Sequence, residues 1–179
     1  CAQQDLLLGV GADRLTAAGN FTAPTMNFDG SAGNDELTLS AALLTGQVNL
    51  LGREGDDRLN VVAQTTRALN QSFLVDGGAG SDVVTVTRGD VLTDYVIKVS
   101  DSGLAGSDSL VVAGSAADDV FLLRSGFVAG LQFEGSTLSS KVERIQYDST
   151  LEGLTVSGMA GNDRIHSDDN SIATTIEGG

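Results

Sequence analysis

The chain has 179 residues, 23 of them Gly and one Pro; 41% are hydrophobic, 4% are aromatic, and Trp is absent. Ten Lys plus Arg against 24 Asp plus Glu give a formal net charge of -14, the wrong sign for nucleic acid or anionic lipid and the right one for cations. The apolar content excludes a disordered tract, no apolar run is long enough for membrane insertion, and one cysteine excludes an internal disulfide.

In chain order, Cys1 is either the lipidated first residue of a mature lipoprotein or the point where a longer chain was cut. "DLLLG" then predicts a strand that enters the turn "LGVGAD" (Leu8 to Asp13). Met26 and Phe28 lead into "GSAGND" (Gly30 to Asp35), and Leu37 and Leu39 lead out. Val48 and Leu50 precede "GREGDD" (Gly52 to Asp57), with Leu59 and Val61 after it. Phe73 and Val75 precede "GGAGSD" (Gly77 to Asp82), with Val84 and Val86 after it. "GLAGSD" (Gly103 to Asp108) runs into Leu110 and Val112, "GSAADD" (Gly114 to Asp119) follows, and Leu154 and Val156 precede "GMAGND" (Gly158 to Asp163). Gly178 and Gly179 open one more copy. Apolar residues at every second position face one side of an extended strand. The unit is therefore strand, G-x-x-G-x-D turn, strand.

The last aspartates of these turns fall at 13, 35, 57, 82, 108, 119 and 163, close to multiples of 11 apart. One unit cannot bury its own apolar face, but stacked units can. The reading is an all-β parallel β-solenoid, a flattened β-roll with coils of about 22 residues. About eight coils fill residues 1–179 as one array, open at both ends, a segment of something longer. A β-sandwich of antiparallel hairpins also uses short strands and Gly turns, but it does not require one turn at a fixed spacing. The half step from Asp108 to Asp119 predicts that the motif ladder changes edge there. "GSTLSS" (Gly135 to Ser140) then reads as a second-ladder turn that has lost its acid. "AALLTG" (Ala41 to Gly46), "VAQTTRALNQ" (Val62 to Gln71) and "SDDNS" (Ser167 to Ser171) read as turns of the other edge.

A hard cation such as Ca²⁺ takes six to eight oxygens, more than one turn supplies. A second turn about 4.8 Å away supplies the rest. Each ion would then tie two coils together, and its binding energy would be folding energy. The expected carboxylates are Asp35, Asp57, Asp82 and Asp108, followed by Asp13, Asp163 and Asp119. Asn34 and Asp56 would add side-chain oxygens, and Gly33, Gly55, Gly80 and Gly106 carbonyls. In the bland alternative Asp closes the turn on its own backbone and Gly supplies positive φ.

The motif resembles the G-G-x-G-x-D-x-U-x nonapeptide of the repeats-in-toxin family, U being a large apolar residue. "GGAGSDVVT" (Gly77 to Thr85) matches every defined position. The other copies lose a glycine, usually the second: Ser31, Arg53, Leu104 and Met159. The resemblance implies a right-handed parallel β-roll, calcium between stacked turns, secretion, and folding driven by extracellular calcium. The longer coil departs from that family's uninterrupted nonapeptides. It is closer to the degenerate repeats of very large bacterial surface proteins and adhesins.

Catalysis has little to stand on. His166 is the only histidine and takes an outward strand position, and Glu143, Arg144 and Arg124 are the nearest approach to a carbohydrate-active β-helix groove. The leading expectation is a non-enzymatic, calcium-stabilised adhesive or structural module at the cell surface or outside the cell. Its partners would be calcium, adjacent repeats of the same parent chain or neighbouring copies, and cell-surface or matrix carbohydrate. The alternatives are a self-assembling filament or surface-layer subunit and a carbohydrate-active enzyme.

Overall fold

A computed structural model describes residues 3–63, 66–67, 73–89, 94–103, 105–141 and 143–179. Cys1 and Leu104 lie outside the described residues, as does most of "VAQTTRALNQ". Among the described residues the regular structure is all β, with no helix. The strands are β1 (Gln4–Leu7), β2 (Arg14–Phe21), β3 (Thr25–Ala32), β4 (Glu36–Leu44), β5 (Gln47–Glu54), β6 (Arg58–Ala63), β7 (Thr66–Arg67), β8 (Phe73–Ala79), β9 (Val83–Arg88) and β10 (Tyr95–Ser100). They continue with β11 (Ser109–Ala113), β12 (Val120–Arg124), β13 (Phe127–Gly130), β14 (Phe133–Glu134), β15 (Thr137–Leu138), β16 (Glu143–Gln146), β17 (Gly153–Ser157), β18 (Arg164–Ser167) and β19 (Ala173–Glu177).

The chain alternates between two sheets. One has the order β1-β3-β5-β8-β10-β16-β13-β12-β18, the other β19-β17-β11-β9-β6-β4-β2. Apart from β13, which runs antiparallel to both its neighbours, adjacent strands in these two sheets are parallel. The register puts like on like: Phe28, Leu50 and Val75 stand in one row, and Leu37, Leu59, Val84, Leu110 and Leu154 in another. These rows are buried and share one core, while the intervening Thr38, Asn60 and Thr85 are half-buried. The period-two pattern thus becomes an apolar interior shared by the two sheets.

Three sequence expectations need correction. "GSTLSS" is no ladder turn: Gly135, at φ 67°, turns the small exposed hairpin β14–β15. The glycine supplies the left-handed backbone of a tight turn. "AALLTG" is largely strand, since β4 continues to Leu44 and leaves Thr45–Gly46 for the bend. The parallel succession also breaks after β11. Ser125 and Gly126 (φ 84°) reverse the chain between β12 and β13, and only β16 resumes the place beside β10. That detour, β12 to β15, lies within the step of 44 positions from Asp119 to Asp163.

Candidate cation site

The turns join the sheets, and their glycines serve two different ends. Gly33, Gly55 and Gly80 have φ of 127°, 121° and 135°. The carbonyl oxygen of each lies under the next glycine, so a Cβ on Gly55 would sit 2.1 Å from Gly33 O, and one on Gly106 1.6 Å from Gly80 O. Carbonyls of Gly33, Gly55 and Gly80 therefore point along the stacking direction. The first motif glycines, Gly30, Gly52 and Gly77, are needed for space instead. A Cβ on Gly52 would lie 2.3 Å from Asp57 Oδ2 and 2.3 Å from Gly77 O of the next layer. Carboxylate and carbonyl oxygens converge beside Gly30 and Gly52, and the Asp82 carboxylate lies against Gly77. At the second motif position Ser31, Arg53 and Met159 keep a left-handed backbone (φ 78°, 90° and 69°) without the glycine that tolerates it.

The motif aspartates stack directly. Asp35 Oδ1 accepts the Asp13 N–H at 2.8 Å, Asp57 Oδ1 that of Asp35 at 2.7 Å, Asp82 Oδ1 that of Asp57 at 2.7 Å and Asp108 Oδ1 that of Asp82 at 2.8 Å. Glu152 ends the row by accepting the Asp108 N–H at 2.7 Å. The preceding motif position bonds in the opposite sense: Asn34 Oδ1 accepts the Asp56 N–H at 3.0 Å, and Asp56 Oδ1 the Ser81 N–H at 2.8 Å. Asn34 and Asp56 are exposed, on the outer side of the turn, whereas Asp35, Asp57, Asp82 and Asp108 are buried.

The second ladder lies on the edge where the second sheet returns to the first, as the half step predicts. Asp163 Oδ1 accepts the Asp119 N–H at 2.9 Å, and the Met159 carbonyl lies against Gly179. Its base is Arg88, buried between Asp119 and Glu143, with Nε 2.8 Å from Glu143 Oε2. Glu143 is thereby held inside the fold, Arg144 stacks on Phe127 and Arg124 pairs with Asp168 and Asp169. His166 is exposed on β18.

Oδ1 of Asp35, Asp57, Asp82, Asp108 and Asp163 is thus committed to a neighbour, and Asp119 has both oxygens engaged, by Arg88 and by Ser115. Oδ2 of Asp13, Asp35, Asp57, Asp82 and Asp163 is buried without a hydrogen-bond partner among the described residues. Such an atom is costly to bury unless something satisfies it. Burial, and then neighbouring carboxylates, push Asp57 up to about 7 and Asp82 to about 6. Asp108 is raised for the same reason, with Asp101 among the contributors.

Asp101 is the residue that motif matching misses. Val75 and Val84 stand nine positions apart and their partners Val99 and Leu110 eleven, so the fifth turn is two residues longer than the fourth. Ser100 pairs with Asp76, which puts Asp101 at the level of Gly77, and Gly103 against Gly78 instead. Asp82, Asp101 and Asp108 are all buried and offer oxygens within 4.8 Å of one another, an arrangement that could hold a metal ion. Glu152 and Arg88 also lie outside the glycine motif. Glu152 has the same offset from Leu154 as Asp108 from Leu110, a signal that the search for glycines passes over.

No protein-family model, curated protein or solved structure matches this chain.

Proposed function

We propose that the chain is a parallel β-solenoid whose stacked turns bind calcium, serving as a structural or adhesive repeat module of a secreted or cell-surface protein. The observation that carries this reading is the row of buried, unsatisfied Asp Oδ2 atoms, those of Asp35, Asp57 and Asp163 beside next-layer carbonyls. Oxygen is the only donor type there, and oxygen sites suit hard cations such as calcium and magnesium rather than zinc. Sites with one carboxylate and several carbonyls are weak, and fill where calcium is millimolar, as it is outside cells. The acidic surface and the resemblance to repeats-in-toxin sequences point the same way. The -14 charge opposes compaction until counter-ions neutralise it. The test is far-UV circular dichroism and thermal unfolding in millimolar CaCl₂ against EGTA. Strand content or melting temperature rising with calcium, and returning on chelation, supports the reading. Identical spectra and melting curves in both would overturn it.

Head-to-tail assembly of copies is a second reading. It would need contacts between copies, for which sedimentation in calcium is the measurement. A sedimentation profile that stays monomeric at high protein concentration in calcium would end it.

A further inference from the structure

We propose that Asp82, Asp101 and Asp108 together hold one calcium ion at the fifth turn, in a site distinct from the repeating ones and stronger than any of them. This rests on the cation reading above and adds to it a residue outside the repeat and a ranking among the sites. In the second and third turns the level of the first motif glycine brings together one Oδ2 and one carbonyl. In the fifth, Asp101 brings a further carboxylate to that level. Asp101 Oδ1 accepts the Gly78 N–H at 2.9 Å, Asp82 Oδ1 the Asp57 N–H and Asp108 Oδ1 the Asp82 N–H, so each of the three carboxylates is oriented by a main-chain N–H, one from the third turn and two from the fourth.

Two oxygens bound to one Ca²⁺ stand at most about 4.6–5.2 Å apart, twice the usual bond length. The triad, at no more than 4.8 Å, lies within that reach. Asp82 Oδ2 is the independent sign of a ligand, being buried and unpartnered in a residue only 1% exposed. Calcium affinity rises with the number of charged ligands, and among the described residues no other group of three carboxylates lies so close. The two extra residues of this turn have a function on this account: they lengthen the loop so that Asp101 can turn inward while Asp108 keeps its place in the row. The competing arrangement is a proton shared between Asp101 and Asp108, with no ion.

Calorimetric titration with CaCl₂, on wild type and on variants shown to be folded by circular dichroism in calcium, separates these cases. Wild type should show one tight site above a weaker class. Asp101→Asn and Asp101→Gly should each weaken the tight site by at least about tenfold while the weaker class persists. Glu134→Gln, an exposed carboxylate on the β14–β15 hairpin, should leave both classes unchanged. Asp101→Asn and Asp101→Gly binding with wild-type affinity would overturn the fifth-turn site alone. Wild type binding no calcium at all would overturn both this site and the ladder reading.

Discussion

Arg88 and Asp119, 31 residues apart, form a buried ion pair at the level where another ladder carboxylate accepts a main-chain N–H from the layer before. Arg88 also holds Glu143, so one guanidinium serves two buried acids. The second ladder thus begins on a resident cation, whereas the first runs as an unbroken row of acids from Asp13 to Glu152. Removing Arg88 leaves both acids buried without the guanidinium that neutralises them, a loss of about 3–5 kcal/mol. Arg88→Met should therefore lower the melting temperature by roughly 10 °C. Adding Asp119→Asn and Glu143→Gln should recover much of it. Differential scanning calorimetry of the single and triple variants checks both.

The first ladder sets the pH dependence in chelator. Asp57 rises to about 7 and Asp82 to about 6 from an ordinary value of 3.8. Between those values the folded chain keeps protons that the unfolded chain has released. Stability should therefore be full below about pH 4, fall as pH climbs, and level off above about pH 7. Urea midpoints measured in EGTA across that range should decline. Saturating calcium, which favours the ionised carboxylates, should flatten or reverse the decline.

Glycine substitutions should divide sharply by position. Gly55→Ala places a methyl 2.1 Å from Gly33 O on a backbone at φ 121°, and should cost more than about 2 kcal/mol. Gly153→Ala, whose nearest neighbour would be Ser109 Cβ at 3.5 Å, should be neutral or gain up to about 1 kcal/mol. Chemical denaturation of the pair distinguishes them.

Ser31 holds φ 78° in the second turn, where the fourth turn has Gly78 at 103°. Left-handed backbone costs a non-glycine residue roughly 1–2 kcal/mol, against about 0.5–1 for the flexibility of glycine. Ser31→Gly should raise the melting temperature by about 2 °C, readable in a thermal scan.

The turns and inward rows were legible because both rest on local rules. Alternation assigns Leu37, Leu59 and Val84 to one face, and equal spacing then stacks Asp35, Asp57 and Asp82. The edge change at Asp119 followed from arithmetic alone. What escaped were places where the chain departs from its own repeat. Ser125–Gly126 looks like any other glycine turn, and nothing local says that it reverses the strand. Asp101 sits two residues before a glycine that seemed to start the motif, and only strand register shows that the turn has lengthened. Arg88 closes a strand in sequence, and its two acidic partners come from 31 and 55 residues further on.

The most direct test of the central claim is a crystal structure of the protein grown in CaCl₂, with anomalous difference density collected at long wavelength. Peaks between successive turns, each bonded at about 2.3–2.6 Å to Oδ2 of Asp35, Asp57 or Asp82, are the expected result. A map free of such peaks, with those oxygens instead meeting water or sharing protons, would contradict it.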